Sequence, residues 1–482
     1  MTDFDKFFKP ESIVLLGASS DPRKWGWQIL SNILHGGFKG RVYPINPVRD
    51  EILGYKVYKS VADVPEAPDL AIIVVPTTSI VTAVRDCTAR GIKAAVVITA
   101  GFAEIGEKGV SLQEEMVRVA REGGLRLIGP NCFGIVSPAS RLYAQMPPIY
   151  PPLGSIAVVS QSGNVGSTIG RRAMAINFGL SRLISTGNEA DLHVEDFLGD
   201  LGRDSQTKVV LSYIEGFKDG RAFFRAAKEV SRHKPIVMIK VGETEAGASA
   251  ARSHTASLSG SPRVFDGICR QAGVIRAGNI RELMNIGYGF LTNPLPRGKR
   301  VGIVTLGGGW GVLAADACAR LGLEVVRLSD EVIRELDKLL PGWWSKSNPV
   351  DMVGGSIISD NILRVVEVLA KYDQIDSVIS LGMPLPDLSN LPRLVMGEDK
   401  ENGRKQILDH YRKVFGRVGE LKVKYGKPIV VAADIFMPRN FVEELDIMCA
   451  VTDVGQVFYN QPHEAATVVN ALAAYAEYTR RR

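Results

Sequence analysis

The stretch Ser12-Ile13-Val14-Leu15-Leu16-Gly17-Ala18-Ser19-Ser20 sets the fold of this 482-residue chain. A run of apolar residues meets a turn of small residues, and a helical pattern begins near Trp25. An apolar run without polar alternation is typical of a strand that is buried on both faces of a parallel sheet. The sequence therefore predicts a strand, a tight turn and a helix, which together open a doubly wound α/β domain.

The same alternation continues through the first third of the chain. Further strand patterns cover residues 41–47, 70–75, 94–99 and 125–128, and a helical pattern covers 109–122. The proline-rich segment MPPIYPPL at 146–153 can continue neither pattern. We therefore predict a first domain over residues 1–146.

Two more cycles open in the same way, with an apolar strand, a turn of glycine and serine, and a helix. The second starts at 154–159 and turns at Ser160–Gly163, and the third starts at 300–305 and turns at Gly307–Gly309. A second proline-rich break, LTNPLPRG, lies at 291–298. The prediction is an α/β protein of three doubly wound domains, 1–146, 147–293 and 294–482.

Composition narrows the class of protein. With 45% hydrophobic and 23% charged residues, the chain resembles an ordinary globular protein. Its net charge of +6 is a mild excess of scattered lysine and arginine, which favours small anionic ligands and gives no support to nucleic acid. The five cysteines are far apart, the N-terminus carries acidic residues, and no long apolar run occurs. We therefore expect no disulfide framework, signal peptide or membrane span, and a cytoplasmic location.

The turn at Gly17–Ser20 lies where a dinucleotide-binding fold holds phosphate, because the following helix offers free N–H groups. However, the G-x-G-x-x-G spacing is absent, and Asn46 ends the second strand where an NAD enzyme usually has an acidic residue. Both observations disfavour a nicotinamide cofactor. Other strand ends, at Pro76–Ser79, Thr99–Phe102 and Pro130–Cys132, outline one crevice at the carboxyl edge of the predicted sheet.

A second candidate is His254, which stands among small residues in the segment ARSHTASLSGS at 251–261. Few large side chains are available there for packing, so the segment predicts a movable loop. Imidazole has an ordinary pKa near 6.5, and its neutral form can act as a nucleophile. Taken alone, a single histidine in a loop is more often an incidental surface residue than a functional one. His193, the rival imidazole, has acidic neighbours that are typical of a helix start.

Motifs in all three regions carry a family resemblance. The first region has GASSDPRKWG at 17–26, VYPINP at 42–47, TAGFAE at 99–104 and IGPNCFG at 128–134. It resembles the coenzyme A-binding domain of the succinyl-CoA synthetase superfamily. The second has VVSQSGNVG at 158–166, YIEG at 213–216 and SHTASLSGS at 253–261, and is similar to the phosphohistidine domain of that superfamily. The third, with TLGGGWGVLAAD at 305–316 and SNPVDMVGG at 347–355, resembles its CoA-ligase domain. With these three domains in this order, the chain resembles the α subunit of ADP-forming acyl-CoA synthetases, chiefly archaeal acetyl-CoA synthetases.

The resemblance implies a Rossmann-like CoA-binding domain, two flavodoxin-like domains and an acid–CoA ligase activity. Acyl-CoA and phosphate would give acyl phosphate, His254 would take the phosphoryl group, and the loop would deliver it to ADP. Glu215 falls on the carboxylate that holds the imidazole. The phosphate would lie between two helix starts, with the contacts Ser160, Gln161, Ser162, Gly163, Gly307, Gly308 and Gly309. CoA would contact Gly17, Ala18, Ser19, Ser20, Lys24, Pro76, Thr99, Gly101, Phe102, Asn131 and Cys132.

The resemblance also implies partners. No segment resembles an ATP-grasp domain, and no P-loop motif occurs. A separate ATP-grasp β subunit would then bind ADP or ATP with Mg²⁺, in an α2β2 assembly, while this chain holds no metal. Two alternatives remain at this point. One is a non-catalytic CoA-binding regulatory or scaffold module, and the other is an NAD-dependent oxidoreductase, which the missing fingerprint disfavours.

Overall fold

A computed structural model describes residues 4–247, 262–352, 361–384, 400–434 and 443–481. The chain divides into two compact units. The first comprises Met1–Met174 and Phe178–Ile280, and the second comprises Ala175–Asn177 and Arg281–Arg482. His254 lies outside the described residues.

The first unit contains a five-stranded parallel sheet, in the order β2-β1-β5-β6-β7. The long apolar runs of the sequence form its strands, and the polar strand ends lie together at its carboxyl edge. A two-stranded hairpin, β3-β4, stands beside it. The bounds are β1 Ser12–Leu16, β2 Arg41–Ile45, β3 Glu51–Ile52, β4 Tyr55–Lys56, β5 Leu70–Ile73, β6 Ala94–Val97 and β7 Arg126–Ile128.

A second sheet of the same unit has seven strands, in the order β14-β13-β12-β10-β11-β8-β9. Its central strands are parallel, whereas β8 and β9 form an antiparallel edge against β11. The bounds are β8 Gly134–Ser137, β9 Leu142–Gln145, β10 Leu153–Ser160, β11 Leu180–Ser185, β12 Val209–Ile214, β13 Ile236–Lys240 and β14 Val274–Arg276. Residues 134–145, which the sequence assigned to the first domain, thus pair with the second sheet.

Helices cover both sheets of the first unit. Their bounds are α1 Asp5–Phe8, α2 Trp25–His35, α3 Ile80–Ala89, α4 Glu107–Glu122, α5 Gly163–Ala175, α6 Val194–Arg203, α7 Gly220–Val230 and α8 Pro262–Ala272. Successive residues of β1 point to opposite faces, so Ile13 and Leu15 pack in one cluster and Val14 and Leu16 in another. The first of these clusters also contains residues of the second sheet, such as Ile184, so the two sheets share one core.

The second unit has a parallel sheet in the order β16-β15-β18-β19, with β17 also paired to β15. Its strands are β15 Arg300–Thr305, β16 Glu324–Val325, β17 Val350–Asp351, β18 Ser377–Leu381 and β19 Ile429–Ala432. Its helices are α9 Ile280–Thr292, α10 Gly308–Arg320, α11 Asp330–Asp337, α12 Asn361–Lys371, α13 Lys400–Tyr425, α14 Glu444–Asp453 and α15 Pro462–Arg480. The predicted α/β class with parallel sheets is confirmed. Among the helices of the described segments, none combines the length and apolar character that a bilayer crossing requires.

Candidate active site

A cavity of about 540 Å³ lies within the first unit, where the carboxyl ends of the first sheet meet the start of α5. Six of the residues predicted for CoA or phosphate line it together, although they are distant in sequence. They are Thr99, Asn131, Cys132, Gln161, Ser162 and Gly163. Trp25, Met146, Asn188 and other residues complete the wall. The cavity thus joins a predicted CoA crevice to a predicted phosphate turn.

The remaining predicted site residues of the first unit do not line this cavity. They are Gly17, Ala18, Ser19, Ser20, Lys24, Pro76, Gly101, Phe102, Ser160 and Glu215. Phe102 is fully buried in the hydrophobic core, so its side chain serves packing. Cys132 is also buried, its thiol donates to the Val97 carbonyl at 3.3 Å, and burial raises its pKa to about 12. The Cys132 thiol is therefore not set up as a nucleophile.

The turn after β1 requires glycine at its first position. Gly17 has φ of +91°, and a Cβ there would lie 2.5 Å from the Val74 carbonyl oxygen. The Ser19 hydroxyl accepts a hydrogen bond from the Asp21 N–H at 3.0 Å, which holds the turn. α2 then begins at Trp25 with Lys24 as its N-cap and no capping side-chain hydrogen bond. The first turn of this helix can therefore offer N–H donors to an anion.

Asn46, at the end of β2, has a structural role. Its side-chain Nδ2 donates to the Ala18 carbonyl at 2.8 Å. Its Oδ1 accepts from the N–H groups of Val48 and Arg49 at 2.9 and 3.0 Å. The amide thus joins the β2 end to the turn after β1, and it offers no carboxylate for a ribose hydroxyl. This geometry agrees with the sequence argument against a nicotinamide cofactor.

A loop from the second sheet forms another wall of the cavity. Gly187 approaches the first sheet so closely that a Cβ would lie 2.3 Å from the Pro130 carbonyl oxygen. Asn188 donates to Glu104 Oε2 at 2.6 Å and accepts from Asn131 Nδ2 at 3.2 Å. Burial opposes the charged form of Glu104, yet its hydrogen bonds from the Gly101 N–H and from Asn188 outweigh that effect and lower its pKa. This polar network fixes Asn131 against the cavity.

Gln161 is the most connected side chain at the predicted phosphate turn. Its Oε1 accepts from the N–H groups of Glu215 at 2.5 Å and Gly216 at 3.1 Å. Its Nε2 donates to the Gly216 carbonyl at 2.7 Å and to Glu189 Oε2 at 2.8 Å. Gln161 therefore links the start of α5 to the end of β12, where the predicted carboxylate Glu215 stands.

Glu215 is 6% exposed. Its carbonyl oxygen accepts from Lys240 Nζ at 2.8 Å, and Lys240 also bonds the Val241 carbonyl. Burial lowers the pKa of Lys240. The backbone of Glu215 is thus held from both sides, by Gln161 and by Lys240. The sequence did not assign Lys240 to the site.

His193 stands immediately before α6, as its acidic neighbours suggested. Its N–H donates to Asp196 Oδ2 at 2.9 Å, and its Nδ1 lies 3.7 Å from Glu195. Burial lowers its pKa. It does not line the cavity.

The second unit repeats the local geometry of the first. In β10 the Ser160 hydroxyl donates to the Ser162 carbonyl at 2.7 Å, and in β15 the Thr305 hydroxyl donates to the Gly307 carbonyl at 2.6 Å. Each turn leads directly into a helix, α5 at Gly163 and α10 at Gly308. The two sequences share the pattern [ST]-x-[SG]-G-x-x-G. Both turns thus present a helix start after a strand whose last hydroxyl shapes the loop.

The Gly307–Gly309 turn is open to a ligand within its own unit. A Cβ on Gly307 or Gly309 would meet nothing within 4 Å, whereas one on Gly308 would lie 3.0 Å from Asp351 Oδ2. Gly307 is the N-cap of α10 and provides no side chain to cap it. The first N–H groups of α10 are therefore accessible to an anion.

Three family models match successive parts of the chain. They describe a CoA binding domain at residues 11–138, a succinyl-CoA ligase like flavodoxin domain at 153–290 and a ligase-CoA domain at 301–379. The chain is 40% identical over 474 residues to ADP-forming acetate–CoA ligase II subunit alpha of Pyrococcus furiosus, covering 98% of each chain. It is 37% identical to subunit alpha of the corresponding ligase I of that organism, again covering 98% of each.

A solved structure resembles the whole chain. It is the dinucleotide forming acetyl-coenzyme A synthetase 1 of Ca. Korarchaeum cryptofilum in complex with phosphate and ADP. The TM-score is 0.84 at 34% identity, and the match covers 100% of this chain and 99% of that one.

Proposed function

The chain belongs to the family of ADP-forming acetate–CoA ligase α subunits, of the succinyl-CoA synthetase superfamily, and on that premise we propose the following reaction for it. The enzyme interconverts acyl-CoA, ADP and phosphate with a small carboxylic acid, ATP and CoA. The observation that carries the proposal is the cavity of the first unit, which combines the carboxyl edge of a CoA-binding sheet with the helix start at Ser162 and Gly163.

In the first step, a phosphate oxygen attacks the thioester carbonyl of acyl-CoA. The C–S bond breaks, the acyl group becomes acyl phosphate, and the CoA thiolate takes up a proton. The N–H groups at the start of α5 stabilise the phosphate charge, and the helix start of α10 is proposed as a further phosphate-binding element. Phosphoryl chemistry depends mainly on such positioning and charge stabilisation.

In the second step, a ring nitrogen of His254 attacks the phosphorus, and the carboxylic acid leaves as its carboxylate. Glu215 accepts a hydrogen bond from the other ring nitrogen, which fixes the tautomer and stabilises the charge that develops. The phosphoryl group then passes from His254 to ADP, giving ATP. The burial of Glu215 and the two-sided hold on its backbone support this positioning role.

We propose that the nucleotide step takes place on a separate ATP-grasp β subunit that binds ADP or ATP with Mg²⁺, in an α2β2 assembly. The names of the Pyrococcus furiosus relatives, both called subunit alpha, support a second subunit. A cytoplasmic location is also proposed, because all five cysteines are free thiols, as is usual in a reducing compartment.

Incubation of the chain with acetyl-CoA and ³²P-labelled phosphate tests the first two steps. The expected product is one acid-labile, base-stable phosphoryl label per chain, which is absent from the His254→Ala variant. His233→Ala is the matched control, because His233 is an exposed histidine at the end of α7, outside the cavity. This control variant should be labelled like the parent.

Three results would contradict the proposal. A label that persists in His254→Ala would transfer the role to another residue. CoA binding without any label would favour a regulatory or scaffold module. Tight NAD binding without CoA binding would favour an oxidoreductase.

A further inference from the structure

Glu189 is a buried carboxyl that the proposed mechanism does not use. It is 3% exposed and adopts φ of +52°, in the left-handed region. A residue other than glycine pays roughly 1–3 kcal/mol to hold such a conformation, so the surrounding structure must determine it. Its Oε2 accepts from Gln161 Nε2 at 2.8 Å, and its Oε1 accepts from the Val194 N–H, at the start of α6, at 3.2 Å. Both carboxyl oxygens therefore have donors aimed at them.

The orientation of the Gln161 amide follows from its neighbours. Its oxygen faces two N–H donors, those of Glu215 and Gly216, and its nitrogen faces two acceptors, the Gly216 carbonyl and Glu189. An amide oxygen only accepts and an amide nitrogen only donates. A reversed amide would place NH₂ against N–H groups and oxygen against oxygens. Glu189 thus favours the one orientation in which Gln161 holds the backbone at Glu215.

We propose that Glu189 is a positioning residue for histidine phosphorylation: it fixes the Gln161 amide, which fixes the backbone of Glu215 and Gly216 and so aims the Glu215 carboxylate. This inference rests on the proposed function of Glu215. It concerns a residue that does not line the cavity and that works through Gln161.

The electrostatics of Glu189 agree with this role. Burial raises the pKa of Glu189 to about 8, the negative charge of Glu195 acts in the same direction, and Lys218 acts against it. The hydrogen bond from Gln161 opposes this shift, because it favours the ionised form of the carboxyl.

The first test compares single-turnover labelling of Glu189→Gln with that of the parent, using acetyl-CoA and labelled phosphate. A glutamine at 189 has one accepting oxygen, so either Gln161 or the Val194 N–H loses its acceptor. We expect the labelling rate to fall about tenfold, which is the effect of about one lost hydrogen bond, while the KM for acetyl-CoA stays within about twofold. Glu195→Gln is the matched control, because Glu195 is also buried, in the first turn of α6, but accepts from the Asp219 N–H instead of Gln161. This control variant should keep the rate of the parent within about twofold.

The second test is a double-mutant cycle with Glu215→Gln. If Glu189 acts through Glu215, adding Glu189→Gln to Glu215→Gln changes the rate by less than about twofold. Gln161→Ala removes the side chain that connects Glu189 to Glu215. Adding Glu189→Gln to this variant should likewise change the rate by less than about twofold. A further tenfold loss in the double variants, an equal loss in Glu195→Gln, or a change confined to the KM would overturn the inference.

Thermal melting of each variant separates folding from positioning. If Glu189→Gln melts well below the parent, Gln161→Ala provides the rate comparison in its place. If the parent carries no phosphohistidine, the proposed function fails, and crystal structures of the parent and of Glu189→Gln then decide the positioning role. A Gln161 amide that keeps its contacts with Glu215 and Gly216 in that variant would overturn it.

Discussion

Substitution of Gly309 by alanine separates the structural role of the Gly307–Gly309 turn from its proposed role at the phosphate. Gly309 lies in the first turn of α10, its φ is not positive, and a Cβ there would meet nothing within 4 Å. Glycine within a helix destabilises it by roughly 0.5–1 kcal/mol relative to alanine. The free energy of unfolding of Gly309→Ala should therefore exceed that of the parent by up to about 1 kcal/mol.

For a unit of about 200 residues, that gain corresponds to a rise in melting temperature of roughly 2–4 °C. Gly416→Ala is the matched control, because Gly416 lies within α13 of the same unit and also has nothing within 4 Å of its Cβ position. Both variants should show a similar increase by calorimetry. Gly308→Ala should instead lose stability, since its Cβ would lie 3.0 Å from Asp351 Oδ2.

The KM for phosphate should distinguish Gly309→Ala from Gly416→Ala. A phosphate oxygen must come within roughly 2.7–3.2 Å of a backbone nitrogen to accept its hydrogen bond, and a methyl group at 309 obstructs that approach. Loss of one such contact, about 1.4 kcal/mol, raises the KM for phosphate about tenfold in the labelling assay. The KM for acetyl-CoA should not change, and Gly416→Ala should behave like the parent. A Gly309→Ala variant with increased stability and an unchanged phosphate KM would refute the phosphate role of this turn.

Three further outcomes are expected. Gly17→Ala should lower the free energy of unfolding by roughly 1–3 kcal/mol in urea titrations, because its Cβ would lie 2.5 Å from the Val74 carbonyl oxygen at φ of +91°. Burial lowers the pKa of Lys422 from 10.5 to about 7, so its ammonium group loses a proton at a lower pH in the folded chain than in the unfolded chain. Lys422 therefore contributes less to stability at pH 7 than at pH 10. Lys422→Met should therefore flatten the rise of the unfolding free energy between pH 7 and 10; an unchanged pH dependence would contradict this. Iodoacetamide should alkylate half-buried Cys449 in the folded chain and reach Cys132 only on unfolding, as peptide mapping by mass spectrometry would reveal.

The strands that the sequence predicted best are those buried on both faces. Strand β15, Arg300–Thr305, has the bounds that its apolar run indicated. Such runs can be recognised without knowledge of distant residues, because every position is apolar whichever strands pair with them. Strands at residues 134–145 were not identified, and the apolar pattern there gave no sign that they would pair with β11 rather than with the first sheet.

At the candidate site, too, local features could be predicted from the sequence, and contacts between distant residues could not. The turns at Gly17, Gln161 and Gly307 were recognisable from glycine, serine and the strands before them, since a helix start after a strand is a local feature. The hydrogen bonds from Asn46 to Ala18 and from Gln161 to Glu189 were not recognisable, because each joins residues that lie 28 positions apart in sequence.

The sequence by itself determined the strand–turn–helix cycles, the anion-binding helix starts and the family, because these depend on residue types at short spacing. Only the tertiary structure brought Thr99, Asn131 and Gln161 to one cavity and linked Gln161 to Glu215 and Glu189. The physical reason is that hydrogen bonds between strand ends depend on which strands become neighbours. That choice follows from burial of the whole core and is not specified by any one segment.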